Sequence, residues 1–315
     1  MSEIELTGLR ADLPIGAMAA LGVLRICQRA EPFRGSKLSW RRGGGSFHAV
    51  MHTRSESGPD ELLEAIAADV KRAAERLELT WRGKLKGLMP DEFRVAAGSV
   101  VEASSREERE TADWFAAFGS DSAVDREGRV DATPLDMTGG PQEFLAGARE
   151  LAVRMSIVPA GNRKVKTPVE SFREALFGPW RYEDDQHSLG WDPTAIKLGA
   201  FTYKAPTKMA NSGVQAAVWL AFESLPLFPC FTVRGLVQAR AFQRTRRQFV
   251  FSWPVWTEPI GLETTGYLLA LQSDERLLCR GVAAVYQSER FNLNKYYAAF
   301  RAPQLALGGS EAAAV

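Results

Sequence analysis

The residues able to do acid–base or metal chemistry in this 315-residue chain are few and scattered. It has three histidines, and two of them, His48 and His52, stand four positions apart. On a helix that spacing suits a shared metal ion. In the Val-, Phe- and Thr-rich run from Phe47 to Thr53 it predicts a strand, where the two imidazoles share a face but lie too far apart for joint ligation. No HExxH, CxxC pair or compact carboxylate cluster accompanies them. The third histidine, His187, follows Glu183-Asp184-Asp185, a grouping with acid–base potential; consecutive acids on a loop also make an ordinary solvated face. Neither GxxxxGK(S/T) nor GxSxG occurs, and Gly43-Gly44-Gly45 lacks the lysine and helix of a phosphate cradle. The expectation is a protein that is not an enzyme and holds no metal or cofactor.

Basic residues carry the stronger signal. Lys and Arg number 39 against 38 Asp and Glu, so the total is nearly neutral, but the distribution is uneven. From Ser224 to Thr257 there is no acid, while Arg234, Arg240, Arg244, Arg246 and Arg247 alternate with Phe231, Phe242, Phe249, Phe251, Trp253 and Trp256. On a hairpin such arginines reach phosphates and a few aromatic rings are left for stacking; alternatively the rings line the core and the arginines are its wet face. Two smaller basic spots are Arg41-Arg42 with Arg54 around the glycine triplet, and the loop Asn162 to Lys166. The candidate phosphate contacts are Arg244, Arg246, Arg247, Arg163 and Lys164, then Arg41 and Arg42. Asn162 is a candidate reader of base edges, since an amide both donates and accepts, or simply a turn residue after Gly161.

These groups must be positioned by a mixed α+β frame. Glu3 to Leu9 reads as a strand. The stretch Leu6 to Gln28 reads as a buried helix with a designed entrance, a capping Asp12 and Pro14 in the first turn. Its slim middle, Gly16, Ala17, Ala19, Ala20 and Gly22, implies a close neighbour, because each glycine costs about 1 kcal/mol relative to alanine. Strands follow at Lys37–Arg42 and Phe47–Thr53, a helix at Pro59–Leu79 and a further strand at Arg94–Glu102, together a ferredoxin-like β-α-β-β-α-β unit. Three segments result: a ferredoxin-like unit over 1–103, a mostly helical insertion with ordered aromatic loops over 104–228, and a β-rich part over 229–315 packed on the first. Helices are expected at Ser104–Phe118, Pro141–Arg154, Val169–Phe177, Gly213–Phe222 and Gly261–Leu271. Gly119–Arg129 reads as a loop, Leu278–Arg290 as a strand and the tail after Gln304 as frayed. Cys27, Cys230 and Cys279 lie far apart and read as reduced, buried thiols. The start MSEIEL has no signal-sequence pattern and no apolar run nears ~20 residues, so a soluble cytoplasmic protein is expected.

The opening GLRADLPIGAMAALGVLRI, followed by LSW, resembles the start of CRISPR-associated proteins of type I-G (formerly I-U) systems. The likeness runs through Gly8, Asp12, Pro14, Gly16, Ala20, Leu21, Gly22, Leu24, Arg25 and Trp40. It is echoed by TPLDMTGGPQEFLAGARELA from Thr133, ALFGPWRYEDDQHSLGWDP from Ala175 and WLAFESLPLFP from Trp219. The resemblance implies a compact large-subunit-like member of the crRNA-guided Cascade complex. Such a subunit meets the crRNA 5′ handle, inspects the motif beside the target DNA, helps separate the duplex and offers a docking face to the helicase-nuclease. The implied partners are crRNA, target double-stranded DNA, the backbone and handle-binding subunits, and that helicase-nuclease. These motifs are structural, so no functional residue is carried over by them. Two other readings stand beside this one: a crRNA-processing ribonuclease with His48 or His52 as general base, and a purely structural assembly subunit.

Overall fold

A computed structural model describes residues 2–102, 106–139, 142–157, 166–185, 188–195, 212–244, 248–271, 275–294 and 297–308. The mixed α+β class read from the sequence is the one observed.

The chain begins with β1 (Ser2–Arg10), α1 (Pro14–Arg29), β2 (Lys37–Gly43), β3 (Ser46–Thr53) and α2 (Pro59–Ala73). β3 lies between the other two strands and pairs antiparallel with both, from Ser2↔Thr53 to Leu6↔Ala49 and from Lys37↔His52 to Gly43↔Ser46. This is the ferredoxin-like order without its last strand. Residues Arg94–Glu102, expected as that strand, lie instead in and at the end of a helix, α4 (Pro90–Val101), which follows the short helix α3 (Leu77–Thr80). Local chemistry decides the difference. Pro90 occupies the first helical turn, the Glu92 carboxylate accepts the Met89 N–H at 3.1 Å, and Phe93 and Val100 are buried seven residues apart, two helical turns. Those signals outweigh the β propensity of Val100-Val101.

Asp12 does not cap α1. Both its carboxylate oxygens are taken by Arg10, at 2.9 and 2.5 Å, and the cap residue is Leu13, whose carbonyl accepts the Ala17 N–H at 3.0 Å. The slim middle of α1 has the neighbour it implied. A Cβ on Gly22 would stand 1.8 Å from the Leu220 carbonyl oxygen of α8 (Gln215–Glu223), and one on Gly16 would stand 2.3 Å from the Arg10 carbonyl.

The middle of the chain adds α5 (Arg106–Phe118), the strands β4 (Gly119–Val124) and β5 (Val130–Ala132), α6 (Phe144–Ser156) and α7 (Pro168–Phe177). β4 and β5 form a hairpin where a loop was expected. Asp125 makes the turn by accepting the N–H groups of Glu127 and Arg129 at 2.8 and 3.0 Å, so a polar run closes a ladder. α7 lies against β1: Thr7 Oγ1 donates to the Phe177 carbonyl at 2.7 Å, and a Cβ on Gly8 would meet the Ala175 carbonyl at 2.5 Å.

The last part contains the hairpin β6 (Cys230–Val233) and β7 (Leu236–Ala239), then a five-stranded antiparallel sheet of β8 (Phe242–Arg244), β9 (Phe249–Trp256), β10 (Val282–Asn294), β11 (Tyr297–Phe300) and β12 (Gln304–Gly308), with α9 (Leu262–Ala270) inserted. The tail expected to fray contributes β12, paired to the first half of β10. Two indoles fasten this sheet to the first: Trp253 Nε1 donates to the Ala11 carbonyl and Trp256 Nε1 to the Leu38 carbonyl, each at 2.7 Å. Leu38 and Ile260 also exchange backbone hydrogen bonds at 2.9 and 3.0 Å. One contiguous apolar core runs through all three segments. Of the three thiols only Cys27 is fully buried; Cys230 is half-buried and Cys279 exposed, which corrects the expectation of three buried cysteines. Among the described residues, no helix is long and apolar enough to cross a membrane.

Candidate nucleic-acid interface

Arg41 and Arg42 sit where β2 approaches its hairpin tip, closed by Gly44 and Gly45 at φ +58° and +83°. Two consecutive left-handed residues make the tight turn that suits the twist of the two strands. Antiparallel pairing puts directly opposed side chains on one face. On one face of this sheet the rows therefore read Arg10–His48–Arg41, Glu5–Val50–Ser39 and Glu3–His52–Lys37. Arg41 reaches across β3 and forks between two carboxylates of β1, Glu3 at 2.5 Å and Glu5. Hydrogen bonding to Glu3, then to Glu5, raises the Arg41 pKa, and the same contact holds Glu3 below its usual range. The side chain expected to seek phosphate thus has an internal anion already.

The two histidines of this face belong to separate contacts. His52 Nε2 shares a 2.8 Å hydrogen bond with Ser39 Oγ while Nδ1 lies 3.4 Å from Glu3; His48 Nε2 lies 3.5 Å from Glu5. Burial lowers the His52 pKa. Its side chain is only 8 % exposed, which closes it off from a bulky RNA backbone.

Arg10 also belongs to a second group, which sequence reasoning missed. Arg10 is clamped on Asp12, and Tyr286 of β10 lies with its ring 6.1 Å from Trp253, nearly parallel, while Trp253 is itself anchored to Ala11. Burial, then the Asp12 charge, pushes the Tyr286 hydroxyl up; Arg42 and Arg10 pull it down. Tyr182, whose hydroxyl accepts from Thr194 Oγ1 at 2.9 Å, is raised by burial and by Asp192 and lowered by Arg10. Arg10 thus acts on both phenols, and Arg42 on Tyr286.

Arg244 is fixed between elements. Its guanidinium meets Asp131 at 3.4 Å and the Val237 carbonyl at 3.2 Å, and lies 4.9 Å from the centre of the Phe249 ring. Arg290 approaches the same ring at 5.8 Å and donates to the carbonyls of Pro134 and Asp136. A phosphate reaching Arg244 must displace Asp131. Arg246, Arg247, Asn162, Arg163, Lys164 and His187 lie outside the described residues. Lys166, at the end of the basic loop, is held by Glu174 and Asp184 at 2.5 and 3.2 Å. Asp184 also receives the Gln215 N–H at 2.8 Å, and Asp185 faces Arg154 at 3.4 Å. The acidic triplet is therefore divided among structural contacts, not gathered into one site.

The acid-free run contributes a different feature. In the β6–β7 hairpin Val233 opposes Leu236 and Phe231 opposes Gln238, around a two-residue turn, Arg234-Gly235, at φ +52° and +76°. Thr232 and Val237 turn inward, with Thr232 Oγ1 on Ser120 Oγ at 2.9 Å. Phe231, Val233 and Leu236 turn outward and are 46, 44 and 46 % exposed. Arginine does not favour the positive φ that Arg234 adopts, so the sequence carries only the glycine of this turn as a signal; once the turn is placed, period-2 counting assigns the faces.

Among the described residues, one charge cluster lies in the interior. Glu223, with no exposed side-chain surface, receives Arg29 at 2.8 Å and Arg76, and lies 3.7 Å from Arg25. Arg29 also grips Asp69 at 2.7 Å and Glu110 at 2.5 Å, and Arg76 meets Glu78 at 2.9 Å. The Trp114 ring lies beneath both Arg25 and Arg76, at 5.4 and 5.5 Å. Burial alone would push Glu223 up; the charges of Arg76, Arg29 and Arg25 overturn this and hold it at about 2. This cluster ties α1, α2, α5 and α8 together, with Glu223 at its closed centre.

The sequence matches no protein-family model and no curated protein.

Proposed function

We propose that the chain is a non-catalytic, large-subunit-like component of a crRNA-guided type I surveillance complex, acting in the cytoplasm on crRNA and on target DNA beside the flanking motif. The observation that carries this reading is the β6–β7 hairpin: three exposed apolar side chains and an arginine at the tip, within 34 acid-free residues from Ser224 to Thr257. Apolar side chains at the end of a rigid, cationic element open base steps, and arginines beside them hold the phosphates. Guide pairing reads the target sequence, so the protein needs only backbone contacts and a short motif reader. The resemblance of the opening and of the three later segments to type I-G proteins supports the same assignment. Other Cascade subunits and the helicase-nuclease are its proposed protein partners.

The test begins with co-purification of the tagged chain with its neighbouring gene products and extraction of the bound nucleic acid. A guide-length RNA in a stoichiometric complex is expected. The Phe231→Ala/Arg234→Ala/Leu236→Ala variant should then assemble with the same RNA but bind target duplex about tenfold more weakly, the loss shrinking on a pre-opened target. A nucleic-acid-free protein, or unchanged duplex binding by the assembled variant, would overturn the reading.

A further inference from the structure

We infer that the outward face of the β6–β7 hairpin reads base edges in the major groove of the target duplex, with Arg234 the contact to a guanine and Gln238 the contact to an adenine. This rests on the surveillance-complex reading and adds which side chains of its hairpin set a sequence preference.

Arg234 has no partner inside the chain. It is exposed, and among the described residues no hydrogen bond, ion pair or ring contact holds it. Arg41, Arg94 and Arg244, by contrast, each meet a carboxylate. The run from Ser224 to Thr257 supplies no acid. In the β4–β5 hairpin, joined to this one through Ser120 and Thr232, the acids are already engaged. Asp121 is taken by Arg94, Asp125 by its own turn, Glu127 by Arg129 and Asp131 by Arg244.

The backbone of Arg234 is strained for an arginine. It stands at φ +52° as the first central residue of the turn, where Asn, Asp or Gly is the ordinary occupant. A side chain with no internal contact gains nothing from that conformation within the fold, and strained positions of this kind cluster where a ligand is met.

The pattern of the face says what the ligand offers. Phe231 opposes Gln238 and Val233 opposes Leu236, so all four side chains turn outward behind the tip arginine. The side-chain amide of Gln238 is half-buried and has no hydrogen-bond partner among the described residues. A guanidinium presents parallel donors that match the O6 and N7 acceptors of guanine, and an amide presents the donor and acceptor that match N7 and N6 of adenine. A two-stranded ribbon fits the major groove, about 12 Å wide, and not the minor groove, about 6 Å wide. The three apolar side chains between the two polar ones meet thymine methyl groups and the opened base step there.

The experiment offers the guide-loaded complex a library of target duplexes randomised beside the guide-matched stretch and sequences what is retained. The wild type should favour guanine at one position by about tenfold and adenine at a second. Arg234→Gly should lose the guanine preference and keep the adenine one; Gln238→Leu should do the reverse. Arg234→Gly relieves the positive φ and should melt no lower than the wild type, which separates a lost contact from a lost fold. Unchanged preferences would overturn the inference. So would an Arg234→Gly loss equal for every flanking sequence, which would put the guanidinium on a phosphate. If no guide-loaded complex forms, the surveillance reading falls and this inference with it. If the complex forms and the triple hairpin variant binds duplex weakly while neither base is preferred, only this inference falls.

Discussion

Replacing Glu223 with glutamine keeps the shape of a side chain buried among three guanidiniums and removes only its charge. Arg29 and Arg76 then lose their shared, fully buried anion, while Asp69, Glu78 and Glu110 remain. The folded protein holds Glu223 at about 2 against an ordinary 4.5. At 1.36 kcal/mol per unit this corresponds to about 3 kcal/mol, within the range for breaking a buried ion pair from one side. A depressed carboxylate stabilises the fold at every pH above its unfolded value and loses that contribution as the pH falls from 4.5 toward 2. Asp69 and Glu78 run the other way, since burial raises both, and the Glu223 charge adds to that rise. Removing the charge therefore relieves these two neighbours slightly, and the difference between the two proteins reads Glu223 net of their response. Urea unfolding followed by tryptophan fluorescence at several pH values measures it directly, and the melting temperature at neutral pH should drop by about 5 °C. The stability gap should be widest near neutral pH and close progressively in acid. A neutral-pH gap under about 1 kcal/mol, or a gap that stays constant into acid, would refute this account of the cluster.

Two further outcomes follow from the packing. Gly22→Ala should be severely destabilising in a denaturant titration, because the added Cβ would lie 1.8 Å from a backbone oxygen that cannot yield. Gly147→Ala, in α6 with nothing within 4 Å of the new atom, should instead stabilise by about 1 kcal/mol. An aromatic disulfide reagent should titrate one fast thiol, Cys279, in the native protein and all three after unfolding, since burial pushes the Cys27 and Cys230 thiols up to about 12. A second fast thiol would show that one of those two sites opens readily.

Elements written in local chemistry were legible from the chain alone. Pro14 and the small-residue run define α1, the glycine triplet defines the β2–β3 turn, and apolar periodicity defines α2, α6 and α9. The failures have the same physical origin. In Arg94–Glu102 a proline and a capping carboxylate just upstream prevail over the β-branched Val100-Val101, and in the polar run Gly119–Arg129 one Asp125 side chain closes a hairpin.

The sequence by itself determined the α+β class, the closely approached backbone of α1 and the uneven distribution of charge, because each depends on neighbours a few positions apart. Only the tertiary structure decided what the charges do. Arg41 finds Glu3 and Glu5 across a sheet, Arg244 finds Asp131, and Arg25, Arg29 and Arg76 converge on Glu223 from separate segments. An arginine carries the same charge and donors wherever it stands. Whether it meets an internal carboxylate or a ligand depends on which segments the shared core brings against it, and those partners lie from 36 to 198 residues away along the chain.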